Sequence, residues 1–241
     1  MKKKKIKLPD TIILAGGLGT RLKPVINDVP KCMAPIDGKP FIDFVLDYCT
    51  KQGLSRFIFC LGYHKEIIMD HLSNRKNCEI LFSIEKKILG TGGALKNAES
   101  YIRSKQSIVL NGDTFVDINY PQLIDWHNDK GSEITLVINK IDDPSRYGLV
   151  NIDNNNKIKS FIEKKEGLKS GWINSGVYII NNSVLKSLAK GEYFSLEKDL
   201  FPKYLNKSFF AYKNDGTMID IGTPESYLES QSIIHSFSTK N

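Results

Sequence analysis

The residues best able to do chemistry fall in a few short stretches. An apolar run, TIILA at 11–15, leads directly into Gly16-Gly17-Leu18-Gly19-Thr20-Arg21, and Lys31 follows within VPKCMAP. Three closely spaced glycines let a chain turn sharply and bring its N–H groups against phosphate oxygens, so the segment reads as a phosphate cradle. Arg21 and Lys31 would neutralise a triphosphate whose reacting phosphorus has been withdrawn from water. The loop is not a dinucleotide fingerprint, because the third glycine would fall on Leu22, and it is not a P-loop, because no Gly-Lys-Ser/Thr follows. For the glycines alone, a plain strand-to-loop turn is the competing reading; the two cations shift the balance.

Two carboxylates have a matching context. Asp113 closes Asn111-Gly112-Asp113 after the apolar SIVL, and Asp220 lies in MIDIGTPE, after one apolar run and before a turn. At the carboxyl edge of a parallel sheet such groups face the ligand crevice. Hard oxygen donors there suit Mg²⁺, which takes one or two carboxylates and fills its shell with phosphate oxygens and water. Aspartate also ends strands and caps turns for structural reasons, so it is the pair that carries the reading. Asp117, Asp142 and Asp143 have no comparable setting.

These groups need a scaffold, and the hydrophobic pattern supplies one. TIILA reads as a buried parallel strand; Phe41, Phe44, Val45, Tyr48 and Cys49 recur at helical spacing behind Pro40 and ahead of Gly53. RFIFCL at 56–61, a helix from about Lys65, CEILFSI at 78–84, the glycine-rich GTGGA at 90–94, a helix through Tyr101 and SIVL continue the alternation. The order predicts an α/β fold: a Rossmann-like, doubly wound, mostly parallel sheet. Beyond residue 133 the pattern becomes EITLVIN, YGLVNI, KIKSFIE and WINSGVYII, which predicts antiparallel additions. Asn214-Asp215-Gly216 marks a tight turn, and Pro224 opens a last helix carrying Tyr227, Leu228 and Ile233. The expected organisation is a basic tail at 1–9 and a single domain at 10–241, with a nucleotide-binding half at 10–140 and a sugar-phosphate-binding half at 141–241.

With 41% hydrophobic and 25% charged residues, the chain has the composition of a packed globular protein. No apolar run reaches the length of a membrane span and the opening MKKKKIKLPD lacks a secretory h-region, so a cytoplasmic protein without a membrane partner is expected. Cys32, Cys49, Cys60 and Cys78 form no C-x-x-C pair and read as reduced core residues. Of the net charge of +7, Lys2 to Lys5 supply four, and no basic stripe with interleaved aromatics points to nucleic acid.

LAGGLGTRL at 14–22 followed by PKCMAPIDGKP at 30–40 resembles the signature of the sugar-1-phosphate nucleotidyltransferase family, with likeness over nearly the whole chain. In character it is closest to the D-glycero-α-D-manno-heptose 1-phosphate guanylyltransferases. The resemblance implies the nucleotide-diphospho-sugar transferase fold and transfer of a nucleoside monophosphate from an NTP, with GTP favoured, to a sugar 1-phosphate. The nucleotide sugar would serve surface polysaccharide biosynthesis. It implies nucleotide contacts from Leu14, Ala15, Gly16, Gly17, Gly19, Thr20, Glu85, Gly90, Thr91 and Gly112, and catalytic roles for Arg21 (charge on the leaving pyrophosphate), Lys31 and Asp113. Asp113 and Asp220 fall at metal positions, and Tyr147, Gly148, Glu163, Lys164 and Asn174 at acceptor positions. Two departures stand out: Cys32 and Lys165 occupy positions where the family often has proline, which alters loop stiffness around cations that are kept.

An ionised Glu85 could accept from both N1–H and N2–H₂ of guanine, whereas the N1 acceptor of adenine would leave it unpaired. Pairing with Lys86 or Lys87 at the surface is the alternative. A sugar-phosphate nucleophile is already anionic, so His64, His71, His127 and His235 are not needed as bases. UTP or CTP with another phosphorylated acceptor, and a non-catalytic nucleotide-binding regulator, remain alternatives, and self-association is left open.

Overall fold

The computed structural model describes residues 8–17, 19, 22–26, 29–144, 147–162 and 170–234. In chain order the main elements are β1 (Asp10–Leu14), α1 (Phe41–Lys51), β2 (Arg56–Leu61), α2 (Lys65–Leu72), β3 (Glu79–Ile84), α3 (Gly90–Asn97), β4 (Gln106–Asn111), β5 (Thr114–Val116) and α4 (Tyr120–Asp129). The chain continues through β6 (Ile134–Ile141), β7 (Leu149–Ile152), β8 (Ile158–Ile162), β9 (Gly171–Asn181), β10 (Phe209–Asn214), β11 (Met218–Asp220) and α5 (Pro224–Ile233).

Across the sheet the strands run β3-β2-β1-β4-β9-β6-β10, and the β7–β8 hairpin joins through the first half of β9. The pairs β3–β2, β2–β1 and β1–β4 are parallel, as helical crossovers require. β9 enters antiparallel to β4 and to β6, which makes the second half a mixed extension of the same sheet. β10 returns parallel to β6. Both faces are covered. Ile13, Phe57, Phe59 and Leu110 pack with Phe41, Leu46 and Ile68 on one side; Ile12, Ile58 and Val109 pack with Leu95, Leu196 and Phe201 on the other. Adjacent strand residues thus point to opposite cores, which is why these strands read as unbroken apolar runs.

Local signals explain most boundaries. Pro40 stands immediately before α1, and Gly53, with φ of 92°, occupies the left-handed position beyond its end. Thr223 and Ser226 form a reciprocal capping box ahead of α5, with Pro224 in its first turn. The structure differs from the sequence pattern at 90–94: GTGGA is not a loop before a helix but the first turns of α3 itself. β5 and β10 have no counterpart in the sequence pattern.

Inside β9, Gly176 has φ of 70°, and the pairing register shifts between Asn174 and Tyr178. A Cβ at Gly176 would lie 2.7 Å from the Asn111 amide nitrogen. This glycine bulge lets one strand pair with β4 through Val177–Asn181 and with β7 through Ile173, so that Asn174 emerges beside the carboxyl end of β4.

Candidate active site

The carboxyl ends of β1, β2 and β4 open onto a cavity of about 320 Å³. Leu14, Ala15, Gly16, Gly17, Gly19, Lys31, Glu85, Gly90, Thr91, Gly112 and Asp113 all line it, joined by Cys32, Cys60, Ile88, Ala94 and Asn111. The expected nucleotide contact Thr20 and the expected catalytic Arg21 lie outside the described residues. Backbone bonds fix the glycine turn over the strand ends: Ala15 N–H donates to the Cys60 carbonyl at 3.0 Å, and Gly112 N–H to the Leu14 carbonyl at 2.9 Å. Gly19 takes φ of 61°, a conformation costly for other residues.

Asp113 and Lys31 line the cavity, and Asp220, outside its lining, lies close enough to feel both charges. β5 pairs with β11 so that Asp220 stands opposite Thr114, and Ile221 N–H donates to the Asp113 carbonyl at 3.1 Å. Lys31 Nζ reaches Asp113 Oδ2 at 2.7 Å, with the lysine side chain only 13% exposed. Asp220 accepts from Gly222 N–H at 2.7 Å and from the Tyr147 hydroxyl at 3.4 Å. Burial pushes the Asp220 carboxyl above the ordinary aspartate range, and the Asp113 charge pushes it further, against the pull of Lys31. Two carboxylates facing one ammonium leave an excess of negative charge that a divalent cation would offset. Among the described residues no group of three or more His, Cys, Asp or Glu could hold a metal by itself. The pair therefore fits Mg²⁺ completing its shell from substrate and water better than a closed protein cage.

Glu85 lies across from the glycine turn. Its Oε2 accepts from Leu89 N–H at 3.3 Å, and a Cβ on Gly16 would come within 2.9 Å of its Oε1. That is a cavity-wall setting rather than a surface pairing with Lys86 or Lys87. Burial raises its pKa, only partly opposed by the Leu89 bond. Cys32 is buried in the same wall, its thiol pushed up to about 12 by burial and by Asp113, so it is a packing group rather than a nucleophile.

The glycines of α3 serve an unexpected purpose. A Cβ on Gly92 would strike the Phe194 ring at 2.2 Å, and one on Gly93 would strike the Glu192 carbonyl at 2.5 Å. The Phe194 carbonyl accepts from both Gly92 and Gly93 N–H, satisfying donors at the start of α3. Thus Gly90 and Thr91 face the cavity while Gly92 and Gly93 admit a strap from the second half of the chain.

The strap ends at Glu197, which no sequence motif singles out. Its Oε2 accepts from Thr91 Oγ1 at 3.0 Å and Ser195 Oγ at 2.7 Å, and its Oε1 from the Tyr178 hydroxyl at 3.3 Å. Asn174 Nδ2 donates to that hydroxyl at 3.0 Å. Ser195 ahead of Leu196, Leu200 and Phe201 at helical spacing is a helix-cap signal, and it does accept from Glu197 and Lys198 N–H, but a cap signal says nothing of Thr91 or Tyr178. On the acceptor side Tyr147 is brought to Asp220, while Gly148 packs near the Ile162 carbonyl. Glu163 and Lys164 lie outside the described residues. The histidines in view stay away from the cavity wall: His71 pairs with Asp43 at the surface, and buried His127 sits between Thr135 and Asn181.

A crevice at the carboxyl ends of a doubly wound sheet, at the point where its topology changes, is the general ligand position of nucleotide-handling α/β proteins. The chain belongs to the nucleotidyl transferase family, whose model matches residues 10–236. It is 41% identical to the D-glycero-alpha-D-manno-heptose 1-phosphate guanylyltransferase of Campylobacter jejuni over 90% of this chain and 96% of that one. To the enzyme of the same name from Aneurinibacillus thermoaerophilus it is 38% identical, over 92% and 96% of the two chains. The crystal structure of HddC from Yersinia pseudotuberculosis complexed with GMP-PN superimposes with a TM-score of 0.86 at 39% identity, covering 94% of this chain and 99% of that one. The fold is that of the nucleotide-diphospho-sugar transferases.

Proposed function

We propose that this protein is a cytosolic, Mg²⁺-dependent guanylyltransferase that joins GMP from GTP to a sugar 1-phosphate, with D-glycero-α-D-manno-heptose 1-phosphate as the first acceptor to test. The observation that carries the reading is the Lys31–Asp113 pair in the wall of a cavity bordered by the glycine turn, with Asp220 close enough to feel both charges. The names of the similar proteins support the choice of base and sugar. The first half, 10–140, takes the nucleotide and the second, 141–241, the acceptor.

In the reaction, an anionic oxygen of the sugar phosphate attacks the α-phosphorus in line; an O–P bond forms as the bond to the β-phosphate oxygen breaks, and pyrophosphate leaves. No general base is required. Backbone N–H groups of the glycine turn hold phosphate oxygens, Lys31 meets charge at the reacting centre, and Arg21 is assigned to the leaving side on the family likeness. Asp113 and Asp220 would hold Mg²⁺, which supplies charge neutralisation on the phosphate oxygens. Alignment and fixed charge do the rest. Masses of the products formed from each of four NTPs with heptose, hexose and amino-sugar 1-phosphates test the assignment directly. Absence of pyrophosphate release with every combination would favour a nucleotide-binding regulator.

Base selection falls to Glu85. Ionised, it accepts from both guanine donors; protonated, it loses one acceptor site. Its raised pKa means that kcat/KM for GTP falls, as pH is lowered, through an acid limb above the ordinary glutamate range. Glu85→Gln removes that limb and cuts the preference for GTP over ATP about 10- to 100-fold, the worth of a hydrogen bond to a charged group. An unchanged preference in the variant rules Glu85 out as the base reader.

A further inference from the structure

We propose that Glu197 is a positioning residue that orients the acceptor-facing amide of Asn174 through the hydroxyl of Tyr178. The inference rests on the reading of this region as a sugar-phosphate site. An ionised carboxylate can only accept, so Tyr178 must donate its single hydroxyl proton to Glu197 Oε1. The Tyr178 oxygen is then left only as an acceptor, which receives Asn174 Nδ2 at 3.0 Å, with the Asn111 side chain as a further partner. This turns Asn174 Oδ1 the other way, onto Gly176 N–H at 2.8 Å. Both neighbours agree on one orientation of the amide: Gly176 N–H holds Oδ1, and the carboxylate, by taking the hydroxyl proton, leaves the Tyr178 oxygen free to receive Nδ2. The Tyr178 ring is fully buried and packs against Phe201 with centroids 5.4 Å apart, so the ring holds its hydroxyl oxygen in place.

The same carboxylate is anchored on its other oxygen by Thr91 in the cavity wall and by Ser195. Thr91 Oγ1 also accepts from Leu196 N–H at 2.8 Å, so the turn holding Glu197 is pinned to α3. Glu197 is thus fixed from the donor cavity and acts on the acceptor side. A glutamine at 197 would keep the volume but could donate to Tyr178, turning the hydroxyl proton toward Asn174 Nδ2 and loosening the amide, which Gly176 N–H alone would then hold.

Steady-state kinetics with the sugar 1-phosphate that the native enzyme turns over test this. Glu197→Gln is expected to raise KM for that acceptor about tenfold while kcat and the KM for the nucleotide stay within about threefold. Tyr178→Phe keeps the buried ring and removes the relay, and is expected to reproduce the defect. The double variant should be no worse than the worse single, because both cut one chain of bonds. Ser195→Ala, which breaks a bond to Oε2 and the cap of its turn but spares the Oε1 bond, should lower Tm and leave the acceptor KM within about twofold of native. Equal rises in nucleotide and acceptor KM, additive single effects, an acceptor KM that does not move, or a Ser195→Ala defect matching that of Glu197→Gln would each overturn the proposal. If the native enzyme turns over no sugar 1-phosphate, the reading of the site falls and the inference falls with it; normal native turnover with an indifferent Glu197→Gln variant overturns the inference alone.

Discussion

Asp113→Ala and Asp220→Ala are each expected to lower kcat at least about 100-fold at saturating Mg²⁺, nucleotide and acceptor, with the fold intact. The two carboxylates come from different elements, Asp113 from the turn between β4 and β5 and Asp220 from the end of β11, and the pairing of β5 with β11 brings them together. Each contributes half of a negative pocket that Lys31 balances in part. Removing Asp113 also releases the Lys31 ammonium, so the site loses its excess of negative charge as well as a ligand. The Asp113 carboxylate is 31% exposed, which makes a large loss of stability unexpected. Far-UV circular dichroism and Tm check the fold, and pyrophosphate release gives kcat. A folded Asp220→Ala variant with near-native kcat would remove Asp220 from the metal site and leave Asp113 and Lys31 to carry it.

Much of this architecture is legible in the order of the amino acids. The runs around Ile12, Phe57 and Ile108 are strands buried on both faces, and that burial is what makes them uniformly apolar. Pro40, Gly53 and Pro224 act through their own backbone restrictions, so their meaning is local and readable. The cavity wall is legible for a related reason: in a doubly wound sheet the strand order itself sends Leu14, Asn111 and Asp113 to one edge. What the sequence does not carry is the reason for a contact made across the chain. GTGGA reads as a flexible loop because glycine is a poor helix former, yet Gly92 and Gly93 are helical and are glycine to admit Phe194 and Glu192. Glu197 reads as one more surface glutamate; its partners Thr91 and Tyr178 lie 106 and 19 positions away, and no local period encodes them.

At the opposite end of the sheet from the cavity, Asp10→Ala is expected to cost about 3–5 kcal/mol of stability, the loss typical of breaking a buried ion pair by deleting one partner. Asp10 and Arg56 have side chains only 4% and 7% exposed, joined at 3.0 Å through Oδ1. Oδ2 is saturated by the N–H groups of Arg103 and Ser104 and by Ser104 Oγ, at 2.5, 2.9 and 3.0 Å. This one carboxylate ties the start of β1 to β2 and to the segment entering β4. Truncation leaves the Arg56 guanidinium with Glu79 alone, at 3.1 Å, and leaves two backbone donors without their acceptor. Burial by itself would raise the Asp10 pKa, but the Arg103 and Ser104 N–H groups and Arg56 outweigh it and hold the carboxyl below its ordinary value. The sign follows: the folded state binds this proton more weakly than the unfolded chain, so the stabilisation is complete above the unfolded aspartate value, about pH 4, and is lost as pH falls through the lower folded value. Urea unfolding at pH 7 should show a lower midpoint at unchanged slope for Asp10→Ala. Asp10→Asn should lose less and should lack the part of the acid destabilisation that belongs to this carboxylate. A midpoint for Asp10→Ala within error of native would mean that the surrounding groups re-pair with water or with Glu79, and that the Asp10–Arg56 pair does not secure the early strands.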